Sequence, residues 1–184
     1  TFFNTDVNEL DITDAEAIGR FVSSNSIDVI INCAAYTAVD KAESNSGLCR
    51  TLNAEAPAYL AEAVAKRNGR MIQVSTDYVF DGTKHMPYVE TDTPCPDSVY
   101  GKTKLDGEKA VMLACPDAMI IRTAWLYSSF GNNFVKTMMR LGKEKEQLNV
   151  IFDQIGTPTY ARDLAIAIMT AVEQGIVPGI YHFS

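Results

Sequence analysis

The sequence predicts an α/β fold built on a doubly wound parallel sheet. Short apolar runs rich in β-branched residues alternate along the chain with longer segments whose apolar residues recur about every 3.6 positions. The short runs are typical of buried parallel strands, and the longer segments are typical of amphipathic helices. Strands and helices that alternate in this way place helices on both faces of a parallel sheet.

Four strands and five helices are predicted in this order. The predicted strands are Ile27–Asn32, Met71–Ser75, Met119–Arg122 and Leu148–Phe152. The predicted helices are Asp14–Ser23, Asn53–Asn68, Val99–Ala114, Asn133–Glu146 and Tyr160–Gln174. Gly69 and Gly175 follow two of these helices and indicate where they end.

Composition bounds the class of protein. With 184 residues, of which 47% are hydrophobic, the chain can bury a substantial core as one domain. The net charge of -7 and the lack of a Lys/Arg-rich block argue against nucleic acid as a partner. No apolar run of membrane-spanning length and no signal-peptide pattern is present, so we expect no membrane association and a cytoplasmic location.

The cysteines predict neither a metal site nor a disulfide framework. They show no C-x-x-C spacing and have no histidine nearby, and we therefore expect reduced thiols. The four are Cys33, Cys49, Cys95 and Cys115.

Polar and small residues follow three of the predicted strands. In a parallel sheet of this kind, ligands bind beyond the carboxyl ends of the strands. The segments Cys33–Thr37, Ser75–Asp77 and Thr123–Tyr127 all occupy that position. Together with the start of the Val99–Ala114 helix, they are predicted to converge at one edge of the sheet.

Tyr100 and Lys104 are four residues apart on a predicted helix and therefore share one face. A unit charge roughly 4 Å away in an effective dielectric of about 20 contributes about 4 kcal/mol. The Lys104 ammonium is thus predicted to lower the pKa of Tyr100 by as much as ~3 units, to near ~7, where a general acid works best.

Four strings of residues together carry a family resemblance. They are Y-G-K-T-K, S-T-D-Y-V-F-D-G, N-C-A-A-Y-T-A-V-D-K-A-E and R-T-A-W-L-Y, with G-N-N-F-V-K-T-M and D-Q-x-G-x-P-T further downstream. From about Thr5 to Phe183, the chain resembles the extended short-chain dehydrogenase/reductases, and within them the dTDP-4-dehydrorhamnose reductase family. Y-x-x-x-K alone is a weak signal, whereas the longer strings are much more specific.

The resemblance implies an NADPH- or NADH-dependent reduction of a nucleotide sugar. The C4 ketone of dTDP-6-deoxy-L-lyxo-4-hexulose would be reduced to give dTDP-L-rhamnose. Tyr100 would protonate the C4 oxygen as hydride arrives from the nicotinamide, and Thr76 would hydrogen-bond the same oxygen. Lys104 would lower the pKa of Tyr100 and hold the nicotinamide ribose.

Binding residues are also implied by the resemblance. Asp77 would help to bind the sugar, Trp125 would form an apolar wall beside it, and Asn53 would steady the active-site helix. The positions expected to line the cofactor are Asp11, Ile12, Ala34, Ala35 and Tyr36.

The sequence departs from the family pattern at its ends. A Rossmann fold opens with a G-x-x-G-x-x-G turn that holds the pyrophosphate, and this sequence has none. Thr1–Asp6 is interpreted instead as the second strand of that unit, with Asp6 near the adenosine ribose, and the C-terminal substrate lobe of the family is lacking. Residues 1–184 are therefore expected to form a single NAD(P)-binding Rossmann-type domain from the interior of a longer chain. The choice between NADPH and NADH stays open.

Arg162 occupies a position where some family members have an acidic residue in a magnesium-linked dimer contact. Because arginine cannot be a metal ligand, magnesium is doubtful here. Both a monomer and a homodimer stay open.

Two other functions stay open. One is a different nucleotide-sugar reductase, epimerase or dehydratase of the same superfamily, although Tyr78 stands where dehydratases have a second carboxylate after the threonine. The other is a non-catalytic regulatory subunit like the one that accompanies methionine adenosyltransferase. The presence of both Tyr100 and Lys104 argues against that function.

Overall fold

A parallel β-sheet forms the centre of the molecule. The computed structural model describes residues 1–151 and 153–184. The strands of the main sheet lie in the order β1–β2–β3–β6, and every pair of neighbouring strands is parallel. Two further short strands, β4 and β5, form a separate parallel pair. The strands are β1 (Val29–Asn32), β2 (Arg70–Thr76), β3 (Met119–Thr123), β4 (Leu126–Tyr127), β5 (Thr159–Tyr160) and β6 (Gly179–His182).

Helices connect the strands and are named in chain order. They are α1 (Ala15–Ser24), α2 (Val39–Ala42), α3 (Ser46–Arg50), α4 (Ala56–Ala65), α5 (Val99–Ala114), α6 (Phe134–Glu144) and α7 (Ala161–Gln174). A π-helical turn, Thr51–Glu55, leads into α4, and a 3₁₀ turn, Asp77–Val79, follows β2.

Helices cover both faces of the sheet. On one face, α1, α4 and α5 pack against Met71 and Ile120. On the other face, Leu164 and Ile168 of α7 pack against Ile72, Met119 and Ile121. Alternate residues of β3 thus enter opposite cores, as the period of a strand requires. This arrangement confirms the predicted α/β fold with a parallel sheet.

The predicted helices are confirmed. Local capping signals define several of their ends. The Asp14 carboxylate accepts hydrogen bonds from the backbone N–H groups of Glu16 and Ala17, which starts α1. Ser98 caps α5 in the same way through the N–H of Gly101. Gly175, at φ +96°, follows the last residue of α7.

Two predicted strands are wrong. Residues 148–151 have no regular structure, and Phe152 lies outside the described residues. The β-branched residues Val150 and Ile151 suggested a strand, but both are exposed, and β6 takes the place beside β3. The segment of residues 1–6 is exposed and has no regular structure either, since no described strand pairs with it.

Helix α5 lies unusually close to its neighbours at two glycines. A Cβ atom added to Gly101 would lie 2.1 Å from the carbonyl oxygen of Tyr78. One added to Gly107 would lie 2.0 Å from the carbonyl oxygen of Asn53. Real Cβ atoms do not approach a backbone oxygen this closely, so both positions require glycine.

We predict that Gly107→Ala destabilises the protein by about 2 kcal/mol or more, because the added methyl group forces α5 away from the π-helical turn. Equilibrium unfolding in urea measures the effect. Gly142→Ala in α6 is the matched control: its added Cβ meets nothing within 4 Å, so it should be neutral or slightly stabilising. Equal stability of the two variants would contradict the close approach.

Candidate active site

The carboxyl ends of β1, β2 and β3 lie side by side, as predicted. In the register of the sheet, Asn32 is opposite Gln73, and Thr76 is opposite Thr123. The three segments that follow these strands therefore start from one edge. Helix α5 begins at the same edge, because its first residues contact the 3₁₀ turn that follows β2.

Thr76 and Asp77 stand where β2 ends. The Thr76 hydroxyl accepts a hydrogen bond from the N–H of Tyr78 and donates one to the Asp77 carboxylate at 3.0 Å. Burial raises the pKa of Asp77, and the hydrogen bond from Thr76 partly opposes this. Thr76 is thus held in a fixed orientation next to a partly buried carboxyl group.

Tyr100 is brought to Thr76 by the first turn of α5. Its side chain is 9% exposed, and its ring meets the ring of Tyr78 edge to face, with 5.5 Å between centroids. The Thr76 side chain opposes the rise of the Tyr100 pKa, an effect that requires the two side chains to lie close to each other. The two hydroxyl groups assigned to the same substrate oxygen are therefore neighbours.

Lys104 lies one turn further along α5 and is buried. Its ammonium donates a hydrogen bond to the carbonyl oxygen of Val74 in β2, at 2.8 Å. Burial lowers the pKa of Lys104 to about 8, and the charge of Glu108 opposes this effect. The ammonium is therefore anchored to the sheet below Tyr100.

The predicted lowering of the Tyr100 pKa is wrong. Burial raises the pKa of Tyr100, and only the Thr76 side chain opposes this. The negative charge of Asp77 raises it further. Helical spacing put Lys104 on the correct face, but it could not show that the ammonium is engaged by Val74. The phenol therefore keeps its proton at neutral pH.

The loop after β1 is fixed by a side-chain amide. Asn53 accepts a hydrogen bond from the N–H of Tyr36 at 2.8 Å and donates one to the carbonyl oxygen of the same residue at 3.1 Å. Its amide also donates to the Thr103 hydroxyl of α5. Asn53 thus joins the loop to the helix that carries Tyr100. Within this loop, Ala34 is exposed and Ala35 is half-buried.

Trp125 follows β3 and is 45% exposed. Its backbone has φ +45°, a left-handed conformation that is rare for a bulky residue and that directs the chain into β4. A Cβ on Gly156 would lie 2.9 Å from the indole ring, so the glycine backbone packs against that ring. An apolar surface is therefore available at the edge of the sheet.

Asp11 and Ile12 lie on the segment before α1. The Asp11 carboxylate accepts hydrogen bonds from the backbone and the hydroxyl of Thr13, which lower its pKa. Ile12 packs against the core between the sheet and α1. Among the described residues, no hydrogen bond links this pair to Thr76, Tyr100 or Lys104.

No group of three or more potential metal ligands exists among residues 1–151 and 153–184. Arg162 is exposed at the start of α7. Within the same residues, no helix has the length and apolar character needed to cross a membrane.

Sequence reasoning missed an ion pair under the site. Glu108 of α5 and Arg122 of β3 form a salt bridge at 2.6 Å, and both side chains are 3% exposed. An arginine inside an otherwise apolar strand was the available signal, because a buried charge requires a partner. Thr123, next to Arg122, was noted only as part of a segment, yet its hydroxyl is buried and makes no hydrogen bond within the described chain.

The parallel sheet and the Tyr100–Lys104 pair on α5 define a Rossmann-like α/β protein of the extended short-chain dehydrogenase/reductase type. The chain belongs to the RmlD substrate binding domain family, whose model matches residues 1–184. This assignment agrees with the resemblance found in the sequence.

Relatives of known name support the assignment. The dTDP-4-dehydrorhamnose reductase of Aggregatibacter actinomycetemcomitans is 45% identical over 97% of this chain and 63% of its own length. The solved structure of the reductase of that name from Clostridium acetobutylicum has 46% identity and a TM-score of 0.95, over 99% of this chain and 64% of its own. The Bacillus anthracis enzyme, solved in complex with NADP, has 41% identity and the same TM-score, again over 99% of this chain and 64% of its own. The chain thus spans less than two thirds of the length of these relatives.

We predict that burial of Lys104 makes stability depend on pH. Its pKa of about 8 lies below the unfolded value of 10.5, so the unfolded chain binds more protons between these values. The free energy of unfolding of the protein, minus that of Lys104→Met, should therefore rise by about 3 kcal/mol between pH 8 and 10.5.

Urea unfolding of both proteins at several pH values measures this difference. Both proteins carry Cys33→Ala, because the Lys104 charge lowers the pKa of that thiol, and the groups away from Lys104 titrate alike and cancel. A difference that stays constant across the range would show that Lys104 has an ordinary pKa.

Proposed function

We propose that the whole protein reduces the C4 ketone of dTDP-6-deoxy-L-lyxo-4-hexulose to dTDP-L-rhamnose, with NADPH or NADH as the hydride donor. The observation that carries this proposal is that Tyr100 packs on the turn that follows Thr76, one helical turn from the buried Lys104, at the carboxyl edge of the sheet. A ketone reduction needs a proton donor and a hydrogen-bond donor at one oxygen, and the hydroxyl groups of Tyr100 and Thr76 supply them.

Tyr100 is the proposed proton donor. Because burial raises its pKa, the phenol holds a proton at neutral pH and has it available for the substrate oxygen. The Thr76 hydroxyl accepts a hydrogen bond from the N–H of Tyr78 and donates its single proton to Asp77, and we propose that it rotates to donate that proton to the same substrate oxygen. Lys104 lies one turn further along α5 and does not lower the pKa of Tyr100, so its proposed role is to hold the nicotinamide ribose.

The residues after β1 fit the cofactor. Nicotinamide supplies the hydride when it is bound. The small side chains of Ala34 and Ala35 leave the backbone open to a dinucleotide, and Asn53 fixes the neighbouring backbone of Tyr36. We assign Asp11 and Ile12 to the adenine end of the cofactor. The Bacillus anthracis relative, solved with NADP, supports this class of cofactor.

The sugar is proposed to lie between Asp77 and Trp125. The half-buried carboxyl group of Asp77 can bind sugar hydroxyl groups, and the exposed indole of Trp125 offers an apolar wall to the deoxy carbon. Residues 1–184 would act as a single nucleotide-binding domain. We further propose a cytoplasmic enzyme that acts as a monomer or homodimer and has no requirement for magnesium.

We predict that Tyr100→Phe lowers kcat by roughly 10²–10⁴-fold and leaves cofactor affinity unchanged, because only the proton donor is lost. Oxidation of NADPH and NADH, followed by absorbance with the sugar nucleotide present, measures the loss in the whole protein.

Tyr181→Phe is the matched control. Its hydroxyl lies on β6 and bonds only the Val177 carbonyl among the described residues, so kcat should be unchanged. A Tyr100→Phe variant with full activity would refute the assignment of the acid. If the folded protein binds the cofactor but never consumes it with this substrate, a related sugar substrate or the regulatory function becomes the better explanation.

A further inference from the structure

The ion pair below Lys104 joins α5 to two strands. The Glu108 carboxylate accepts hydrogen bonds from Nε of Arg122 at 2.9 Å and from a terminal nitrogen of the same guanidinium at 2.6 Å. The Ser75 hydroxyl of β2 donates to the same carboxylate at 2.5 Å. Three charge-assisted hydrogen bonds, two of them between opposite charges, therefore fix one turn of the helix on the sheet.

The contacts of α5 follow the strand beneath it. Lys104 and Glu108 are four residues apart and share the helix face that meets the sheet. Lys104 bonds the carbonyl of Val74, and Glu108 bonds the hydroxyl of the next residue, Ser75. Because Glu108 is hydrogen-bonded to Ser75 of β2, Lys104 is held one helical turn earlier, next to the Val74 carbonyl.

Arg122 is held on its other sides as well. Its guanidinium lies 5.1 Å from the centroid of the Phe80 ring, and one of its nitrogens is 3.5 Å from Nε2 of His182. The other ring nitrogen of His182 lies 3.2 Å from the carbonyl oxygen of Tyr88. The partner of Glu108 is therefore rigid, and it holds the carboxylate in one place.

We propose that Glu108 is a positioning residue for Lys104: Arg122 and Ser75 fix its negative carboxylate on the sheet one helical turn from Lys104, and this holds the ammonium in place at the Val74 carbonyl. The proposal rests on the proposed function, in which the Lys104 ammonium holds the nicotinamide ribose. It gives the ion pair a role in the chemistry in addition to its role in packing.

The surroundings of Lys104 give the sign of the effect. The groups that face its ammonium are Glu108 on α5, Cys33 after β1, Cys49 on α3 and the Val74 carbonyl on β2. Burial lowers the pKa of Lys104, and Glu108 is the first of the groups that raise it. Loss of the Glu108 charge must therefore move the titration of Lys104 to lower pH.

The experiment follows the side-chain Cε signal of Lys104 by NMR in ¹³C-lysine-labelled protein, with Lys104→Met to assign the signal. In Glu108→Gln, we expect the midpoint to fall by about one pH unit, as for the loss of a nearby opposite charge. Asp106→Asn is the matched control. Its carboxylate lies on the same helix but is solvent-exposed and paired with Arg50, so its removal should not move the midpoint.

An unchanged midpoint in folded Glu108→Gln would overturn the proposal. If that variant does not fold, Glu108→Leu combined with Arg122→Met removes both buried charges, and a smaller fall in the midpoint is expected because a positive charge near Lys104 is lost as well. In an active protein, the alkaline decline of kcat should move with the midpoint. A midpoint that falls in a protein that shows no turnover would support the role of Glu108 and refute the proposed reaction.

Discussion

The close approach of α5 to its neighbouring turns is the constraint on which the candidate site depends. Gly101 and Gly107 allow backbone contacts with the turn after β2 and with the π-helical turn that no other residue permits. One face of this helix carries Tyr100, Lys104 and Glu108 in successive turns. Because the helix is held at these turns, Lys104 and Glu108 keep fixed partners on β2.

This arrangement explains how a charged stripe is kept inside a small protein. An unpaired buried charge costs several kcal/mol, and removal of one partner of a buried ion pair costs roughly 3–5 kcal/mol. Here the Glu108–Arg122 pair is held by several hydrogen bonds, while among the described residues Lys104 hydrogen-bonds only the Val74 carbonyl and has a lowered pKa. Burial of Lys104, the residue that the proposed reaction requires, therefore lowers the stability of the fold, whereas the paired charges of Glu108 and Arg122 do not.

Much of the fold could be predicted from the sequence, because helix periodicity and capping residues such as Asp14 and Ser98 act locally. The strand predicted at 148–152 failed because β-branched composition does not reveal whether a neighbouring strand is available. In the site, the positions of Thr76 and Tyr100 at one edge were predictable from the order of the elements. The raised pKa of Tyr100 and the Glu108–Arg122 pair were not, since both depend on burial and on contacts between distant segments.

The central claim is that the site directs hydride to the C4 ketone of a nucleotide sugar. The most direct measurement supplies the whole protein with NADPH deuterated at the transferable position of nicotinamide, together with dTDP-6-deoxy-L-lyxo-4-hexulose, and locates the label by NMR and mass spectrometry. The account predicts one deuterium, at C4 of the 6-deoxy sugar product. Deuterium at another carbon, or oxidation of the cofactor without label in the sugar, would contradict it.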